Sequence, residues 1–517
     1  ASIFASNIGS EHLIGLAGAG ASSGMAMAHW EIQGWMILIL GWVFVPFYSR
    51  SMVYTMPEFL ERRYNPQSRT ILSVISLVSY VLTKVAVTVY AGGLVFQQVF
   101  GIKELWGIDF FWIAAIGLVV LTALYTIFGG MKSVLYTSVL QTPILLLGSL
   151  IILVLGFKEL GGWDEMMRVC GAVTVNDYGD TMTNLIRSND DANFPWLGAL
   201  IGSAIIGFWY WCTDQFIVQR VLSGKNEKEA RRGTIFGAYL KLLPVFLFLI
   251  PGMIAFALHQ KYIGAGGEGF LPMLANGTAN ADAAFPTLVA KLLPAGVKGL
   301  VVCGILAALM SSLASLFNSS AMLFTIDFYK RFRPETPEKK LVGIGQIATV
   351  VIVILGILWI PIMRSVGDVL YTYLQDVQSV LAPGIAAAFL LGICWKRTSA
   401  QGGMWGLIAG MVIGLTRLGA KVYYSNAGEV ADSTFKYLFY DMNWLFFCGW
   451  MFLFCIIVVI VVSLATEAPT AEKIQGLVFG TATKEQKAAT RASWDHWDII
   501  HTAIILAITA AFYWYFW

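Results

Sequence analysis

Polar side chains recur inside stretches that are otherwise apolar enough to enter a bilayer, and these are the residues with chemistry to offer. The first stretch reads FASNIGSEHLIGLAGAG from Phe4 to Gly20 and carries Asn7, Ser10, Glu11 and His12 among Gly9, Gly15, Gly18 and Gly20. Glu31 stands at the mouth of the next, and Lys84 and Lys241 lie inside later ones. Three further clusters follow: GSAIIGFWYWCTDQF with Thr213, Asp214 and Gln215, MSSLAS from Met310 to Ser315, and YLQDVQS from Tyr373 to Ser379. A charge at bilayer depth costs about 2.5–3.5 kcal/mol on insertion scales, so such groups mark sites or pathways. The plainer reading of Glu31 and Lys241 is that they pair with each other or reach to an interface.

Two kinds of ligand suit these side chains. Asn, Gln, His, Glu and Lys supply donors and acceptors in balance, and Trp and Tyr faces can cover the C–H surface of a ring, which fits a neutral polyhydroxylated solute. A bare carboxylate would call for an excess of donors. The hydroxyls of Ser311 and Ser312, set beside carbonyls freed by a broken helix, would suit a small hard cation. Paired serines on a helix also serve simply as small residues at a helix contact.

Composition identifies the elements that must position these groups. The 517 residues are 57% hydrophobic and 13% charged, about half the charge of an ordinary soluble protein. Runs of roughly 20 apolar residues, enough to cross a bilayer core, recur along the chain. Thirteen such windows fall near 1–28, 32–49, 71–98, 109–128, 134–157, 195–220, 234–257, 298–328, 341–362, 367–395, 402–420, 443–466 and 497–517. The loops at 50–70, 132, 220–232, 330–340, 396–397 and 473–491 hold 21 of the 34 Lys and Arg residues, and the positive-inside rule makes them cytoplasmic. The acidic loop at 158–194 is then outside, and the spans at 1–28 and 195–220 run in opposite directions. Both are interrupted by polar residues and glycines, the pairing expected of an inverted-repeat transporter. The expected organisation is a first half at 1–157, an extracellular loop at 158–194, a second half at 195–395 and additional transmembrane helices at 396–517. The sequence starts at Ala1 inside an apolar segment, so the first span reads as incomplete.

Other classes are disfavoured. A net charge of +3 without a Lys/Arg-rich run gives no nucleic-acid signature. Six dispersed cysteines form neither a disulfide framework nor a metal knuckle. His29, His259, His496 and His501 sit alone, with no nucleophile, base and orienter set, so no enzyme is expected. Asn276-Gly-Thr278 matches a glycosylation sequon in a loop expected outside, and 467–496 reads as a solvated connection.

Taken in order, SIFASNIGSEHLIGLAGAG, YTMPEFLERRY, ALYTIFGGMKSVLYT, WYWCTDQFIVQR, GAYLKLLP, LMSSLASLFNSSAMLFTIDFY and AAAFLLGICWKR resemble the sodium/glucose cotransporter branch of the solute:sodium symporter family. The resemblance covers nearly the whole chain. It implies an all-α polytopic membrane protein with a LeuT-type five-plus-five inverted repeat and additional C-terminal helices. It also implies multi-pass residence in the plasma or cytoplasmic membrane and symport of a monosaccharide with sodium as co-transported ion. The implied sugar site is Asn7, His12, Glu31, Tyr210, Trp211, Lys241 and Gln375. Leu16, Trp30 and Tyr371 match outer-gate positions and Tyr210 the inner gate. The implied sodium site is the carbonyls of Ala5, Ile8 and Ala308 with the hydroxyls of Ser311 and Ser312. Relatives that move two sodium ions carry Asp and Thr where this chain has Ser138 and Ala314, so one sodium per sugar is expected. Myo-inositol or another small organic solute of the same family is the alternative cargo, and a sugar-gated sensor or channel the alternative activity. The sequence leaves the oligomeric state open.

Overall fold

In this computed structural model the described residues are 2–9, 11–51, 53, 55–274, 277–366, 370–427 and 430–517, without the side chains of 2, 5, 6, 125, 127–142 and 362–366. Ser10, Asn276 and the side chain of Ser138 therefore lie outside the described residues, and Ala5 is described by its backbone alone.

Every apolar window has a helical counterpart. Among the described residues eleven runs are long and apolar enough to cross a membrane, and Phe110–Leu124 is a shorter apolar segment. The run Glu11–Ser51 is 41 residues long, about twice a single crossing at roughly 1.5 Å per residue, and it turns at the 3-10 segment Gly24–Met27 and at Ile32 and Gln33. The windows at 109–128 and 134–157 share one continuous helix, Phe110–Leu160, which has Pro143 inside it. Side-chain caps set other starts: Thr55 for Met56–Arg63, Asn65 for Pro66–Ser79, Ser399 for Ala400–Asn426 and Asp495 for His496–Tyr515. The small hairpin Glu104–Leu105 and Ile108–Asp109 is the paired sheet among the described residues.

Burial orders the spans. In Glu227–Gly264 and Leu370–Cys394, 83% of the apolar window is buried, against 33% in Trp444–Ala465 and 17% in His496–Tyr515. The first two are central and the last two peripheral, with Phe454, Ile457 and Val461 turned outward as lipid-facing residues are. At the centre Glu11–Ser51 packs closely on Ile250–Gly264. A Cβ at Gly252 would lie 1.9 Å from the Ala17 carbonyl oxygen and one at Gly20 2.2 Å from that of Leu249, so only glycine fits either place.

Both expected interruptions are present. α-Helix Ser2–Asn7 gives way to bent residues Ile8 and Gly9, and the chain resumes as a π-helical turn, Glu11–Leu16, before α-helix Ala17–Ser23. The N–H groups of His12 and Leu13 both donate to the Gly9 carbonyl at 3.2 Å. In the other run, α-helix Trp196–Gly207 passes into a π-helical turn, Phe208–Thr213; Asp214 is extended, and helix restarts at Gln215–Leu222. Single π turns inside helices are frequent at functional sites, although this fold also carries them elsewhere, as at Leu40–Phe44 and Val245–Leu249.

The basic loops gather at one end of the molecule. Arg50 donates to Thr490, Lys473 to the Glu61 carbonyl at 2.8 Å, Arg331 to that of Pro66 at 2.7 Å and Arg397 to that of Thr466 at 2.7 Å. The connection at 467–496 is accordingly docked rather than simply solvated: Phe479 N–H donates to the Ile393 carbonyl at 2.9 Å, and Lys484–Ala492 is a helix started by a capping box from Thr483 and Gln486. At the opposite end the loop at 158–194 covers the first run, with Met25 N–H donating to the Met182 carbonyl at 2.8 Å.

A polar cavity between two broken helices

The two interruptions face one narrow polar cavity, with about 40 Å³ open to the centre of a water-sized molecule. Behind its wall lies Glu31, which is fully buried. Lys241 Nζ donates to Glu31 Oε2 at 2.6 Å, Tyr371 O–H donates to Oε1 at 2.6 Å, and His12 Nε2 lies 3.2 Å from Oε2. Asn7 Nδ2 stands 3.2 Å from the same histidine nitrogen. The Lys241 ammonium also lies 5.4 Å from the centre of the Trp211 ring. Removing either member of such a buried pair would strand the other charge at about 3–5 kcal/mol.

What the ring leaves unsatisfied defines its use. Gln375 Oε1, His12 Nδ1 and Trp30 Nε1 are buried with no hydrogen-bond partner among the described residues, although their residues all line the cavity. Lys241 spends one of its three donors on Glu31. An unpartnered buried polar group costs about 1–3 kcal/mol, which a ligand with matching groups recovers. These atoms comprise donors, an acceptor and a histidine nitrogen able to act as either. A hydroxyl, which both donates and accepts, can meet each of them.

The second interruption closes on itself. Asp214 accepts from Tyr80 O–H at 2.8 Å, from Phe216 N–H at 3.2 Å and from Lys84 Nζ at 2.5 Å. Lys84 in turn lies 3.9 Å from the centre of the Phe216 ring and 4.9 Å from that of Tyr210. Gln33 bridges from the second span, donating to the Ser203 carbonyl at 2.7 Å. At the cavity's mouth Trp30 stacks on Trp444 with centroids 5.5 Å apart. Nearby, Asp282 accepts from Leu370 N–H at 3.2 Å, and its burial pushes the carboxyl up to about 7.

Of the residues expected to hold a cation, Ser312 reaches the first interruption. Ser312 Oγ is buried with no hydrogen-bond partner among the described residues, and it abuts Gly9: a Cβ built there would lie 2.6 Å from it. Ile8 is fully buried, Ala308 is buried one turn before Ser312 in helix Ala295–Met322, and Ser311 is buried and engaged within the protein. Among the described residues no group of three His, Cys, Asp or Glu could hold a metal ion.

Of the residues expected around a solute, Asn7, His12, Tyr210, Trp211, Lys241 and Gln375 line the cavity, and Glu31 sits behind them bonded to two. Trp30 and Tyr371 line it as well; Leu16 is fully buried and is not among the lining residues. Glu31 and Lys241 do pair, as the plainer reading had it, and the pair forms part of the cavity's polar ring. Glu11, Gln33 and Gln378, to none of which the sequence assigned a binding role, also line the cavity. Gln378 had a signal, standing one helical turn beyond Gln375 on the same face.

The sequence model of the sodium:solute symporter family matches residues 1–410. Sodium/myo-inositol cotransporter 2 from Homo sapiens is 36% identical over 494 residues, covering 93% of this chain and 72% of the relative. Sodium/glucose cotransporter 1 from Ovis aries is 38% identical over 485 residues, covering 90% and 72%. Among solved structures, a Na+-coupled sialic acid symporter in a substrate-bound outward-open state matches with a TM-score of 0.67 at 21% identity, covering 91% of this chain and 89% of the other. MhsT in complex with L-phenylalanine matches with a TM-score of 0.50 at 13% identity, covering 90% and 97%. The fold is thus an all-helical membrane fold of the LeuT type, a five-plus-five inverted repeat followed by further helices.

Proposed function

Because the chain belongs to the sodium:solute symporter family and couples a small solute to sodium, we propose that its solute is a monosaccharide, glucose or galactose, carried by alternating access with one sodium ion per sugar. The carrying observation is the set of unpartnered polar atoms, Gln375 Oε1, His12 Nδ1 and Trp30 Nε1, around a cavity backed by the Glu31–Lys241 pair. That mixture suits hydroxyls and leaves no surplus of cations for a carboxylate. Asn7, His12, Glu31, Tyr210, Trp211, Lys241 and Gln375 hold the sugar; Trp30, Leu16 and Tyr371 close above it and Tyr210 below. Sodium is held by the carbonyls of Ala5, Ile8 and Ala308 and the hydroxyls of Ser311 and Ser312.

Sodium bound from outside ties helix Ala295–Met322 to the broken first span and favours the outward-open state with an assembled sugar site. Sugar binds, the outer gates close, and loss of sodium to the cytoplasm loosens the site. Coupling is the difference in binding between the two states, and no covalent step is needed. The repeats are 1–157 and 195–395, and the membrane is the cell's bounding membrane, across which a sodium gradient stands. A tenfold gradient with 100 mV supplies about 3.7 kcal/mol per ion, enough to concentrate sugar about 500-fold. Reversal potentials in proteoliposomes should fit one charge per sugar; a slope requiring two would refute that stoichiometry.

Myo-inositol is the second reading, favoured by the relatives named for it. Competition among labelled glucose, galactose and myo-inositol in sodium-dependent uptake separates the cargoes, and accumulation against a gradient separates a transporter from a sugar-gated channel. Glu31→Ala and Gln375→Glu should each abolish uptake, Glu31→Ala also lowering thermal stability by stranding Lys241. Normal uptake in both would remove the site assignment.

A further inference from the structure

Glu11 is an acidic lining residue to which the proposed cycle gives no task. Its carboxylate turns back over the first interruption: a Cβ built at Gly9 would lie 2.6 Å from Glu11 Oε2 and 2.6 Å from Ser312 Oγ. Each oxygen being 2.6 Å from the same point, the two lie at most twice that distance apart. A hard cation of calcium's size takes oxygens at roughly 2.3–2.6 Å, so one ion can reach both. Ser312 Oγ is buried and has no hydrogen-bond partner among the described residues, leaving its lone pairs for such an ion. Glycine at position 9 keeps the gap between the two oxygens free of side chain.

The same carboxylate lines the solute cavity and acts electrostatically on Lys84 and Lys241. The serine hydroxyls and freed carbonyls expected around sodium carry no net charge, so an ion among them alone would bring an uncompensated charge into low dielectric. We propose that Glu11 is an additional oxygen ligand of the transported sodium ion, shared between that ion and the lysines of the solute cavity, and that it carries part of the coupling between the two sites. With sodium bound, the carboxylate turns to the ion and Lys241 is left to Glu31 and the solute. Without sodium, Glu11 draws on the lysines and the solute site is weakened. Reciprocity follows: solute must tighten sodium by the factor by which sodium tightens solute.

The inference rests on the sodium site proposed above, and the test separates the two. Radiolabelled sodium is bound to the purified full chain at equilibrium, and labelled galactose, glucose and myo-inositol are bound at saturating and at low sodium. Glu11→Gln should weaken sodium binding at least about tenfold, which corresponds to about 1.4 kcal/mol. Solute affinity at saturating sodium should stay within about threefold, and its loss on lowering sodium should shrink, since a lost ligand lowers the coupling factor. Glu11→Asp, which keeps the charge, should recover most of the sodium affinity. Should Glu11→Gln not yield monodisperse protein, Glu11→Asp carries the test alone, with a shift of about threefold expected from a shortened charge-assisted contact. Unchanged sodium binding in the tested Glu11 variant, with Ser312→Ala still abolishing it, overturns the role of Glu11 and leaves the proposed site standing. A weakened solute affinity at saturating sodium with unchanged sodium binding overturns it too, assigning Glu11 to the lysines alone. Sodium binding unaltered by Ser312→Ala overturns the proposed site and this inference with it.

Discussion

The two broken helices share a shape and differ in how their polar groups are satisfied. At the second, Asp214 meets a hydroxyl, a backbone N–H and the Lys84 ammonium, so the break is electrostatically closed. At the first, Ser312 Oγ and His12 Nδ1 remain without partners among the described residues, so the break is open to a ligand. A break whose charge is paired is held in place by that pairing; one with orphaned polar atoms beside it is open to a ligand.

Substitutions at the two breaks should accordingly fail in different ways. The largest effect is expected of Asp214→Asn, which strands Lys84 in the interior and should cost about 3–5 kcal/mol. Thermal melting of the purified protein should fall alike with and without sodium, and a sodium-dependent loss would erase the contrast drawn here. Ser312→Ala removes an unpartnered hydroxyl, so melting in sodium-free medium should be unchanged or slightly raised. What it should lose is the stabilisation by sodium, about 2.7 kcal/mol at a hundred times the dissociation constant. The smallest effect belongs to Asp282, which accepts from Leu370 N–H beside the outer part of the first run, where a Cβ at Gly18 would lie 2.5 Å from its Oδ1. Its carboxyl is raised from 3.8 to about 7 by burial, so its contribution to stability is complete below pH about 4 and is lost as pH rises to about 7 and beyond. Between pH 6 and 8 stability should decline by about 1.4 kcal/mol, and Asp282→Asn should flatten that slope. An unaltered slope in the variant would assign it to another group.

How much of this could be read from the sequence follows from what kind of signal each feature leaves. The broken runs were legible because Asn7, Glu11, His12 and Asp214 are expensive in hydrocarbon, and a chain keeps such residues only for cause. The peripheral helices were legible from apolar length alone. Pairings across long separations were not: Lys84 meets Asp214 and Lys241 meets Glu31 through the packing of distant helices, and no local pattern announces either partner. The approach of Ser312 to Gly9 is invisible for a further reason, since glycine records a neighbour's proximity only by having no side chain. Leu16, expected at a gate, is fully buried on the π-helical turn and is not among the lining residues. The segment at 467–496 misled through its polarity, which serves docking onto a basic face.

The C-terminal helices attach to different parts of the core. His496–Tyr515 is fastened to the second and seventh spans, through Trp42 to Thr502 at 3.0 Å, Tyr239 to His501 at 3.1 Å and Arg232 to Asp495 at 2.7 Å. Ala400–Asn426 packs instead on Leu370–Cys394 and Glu338–Val366. If the core rocks one body against another, these outer helices travel with separate bodies and report their relative displacement at the periphery. Spectroscopic labels at exposed Tyr423 and Trp514, neither of which lines the cavity, would make the pair an external gauge of the transport cycle, readable without touching a single residue that binds cargo.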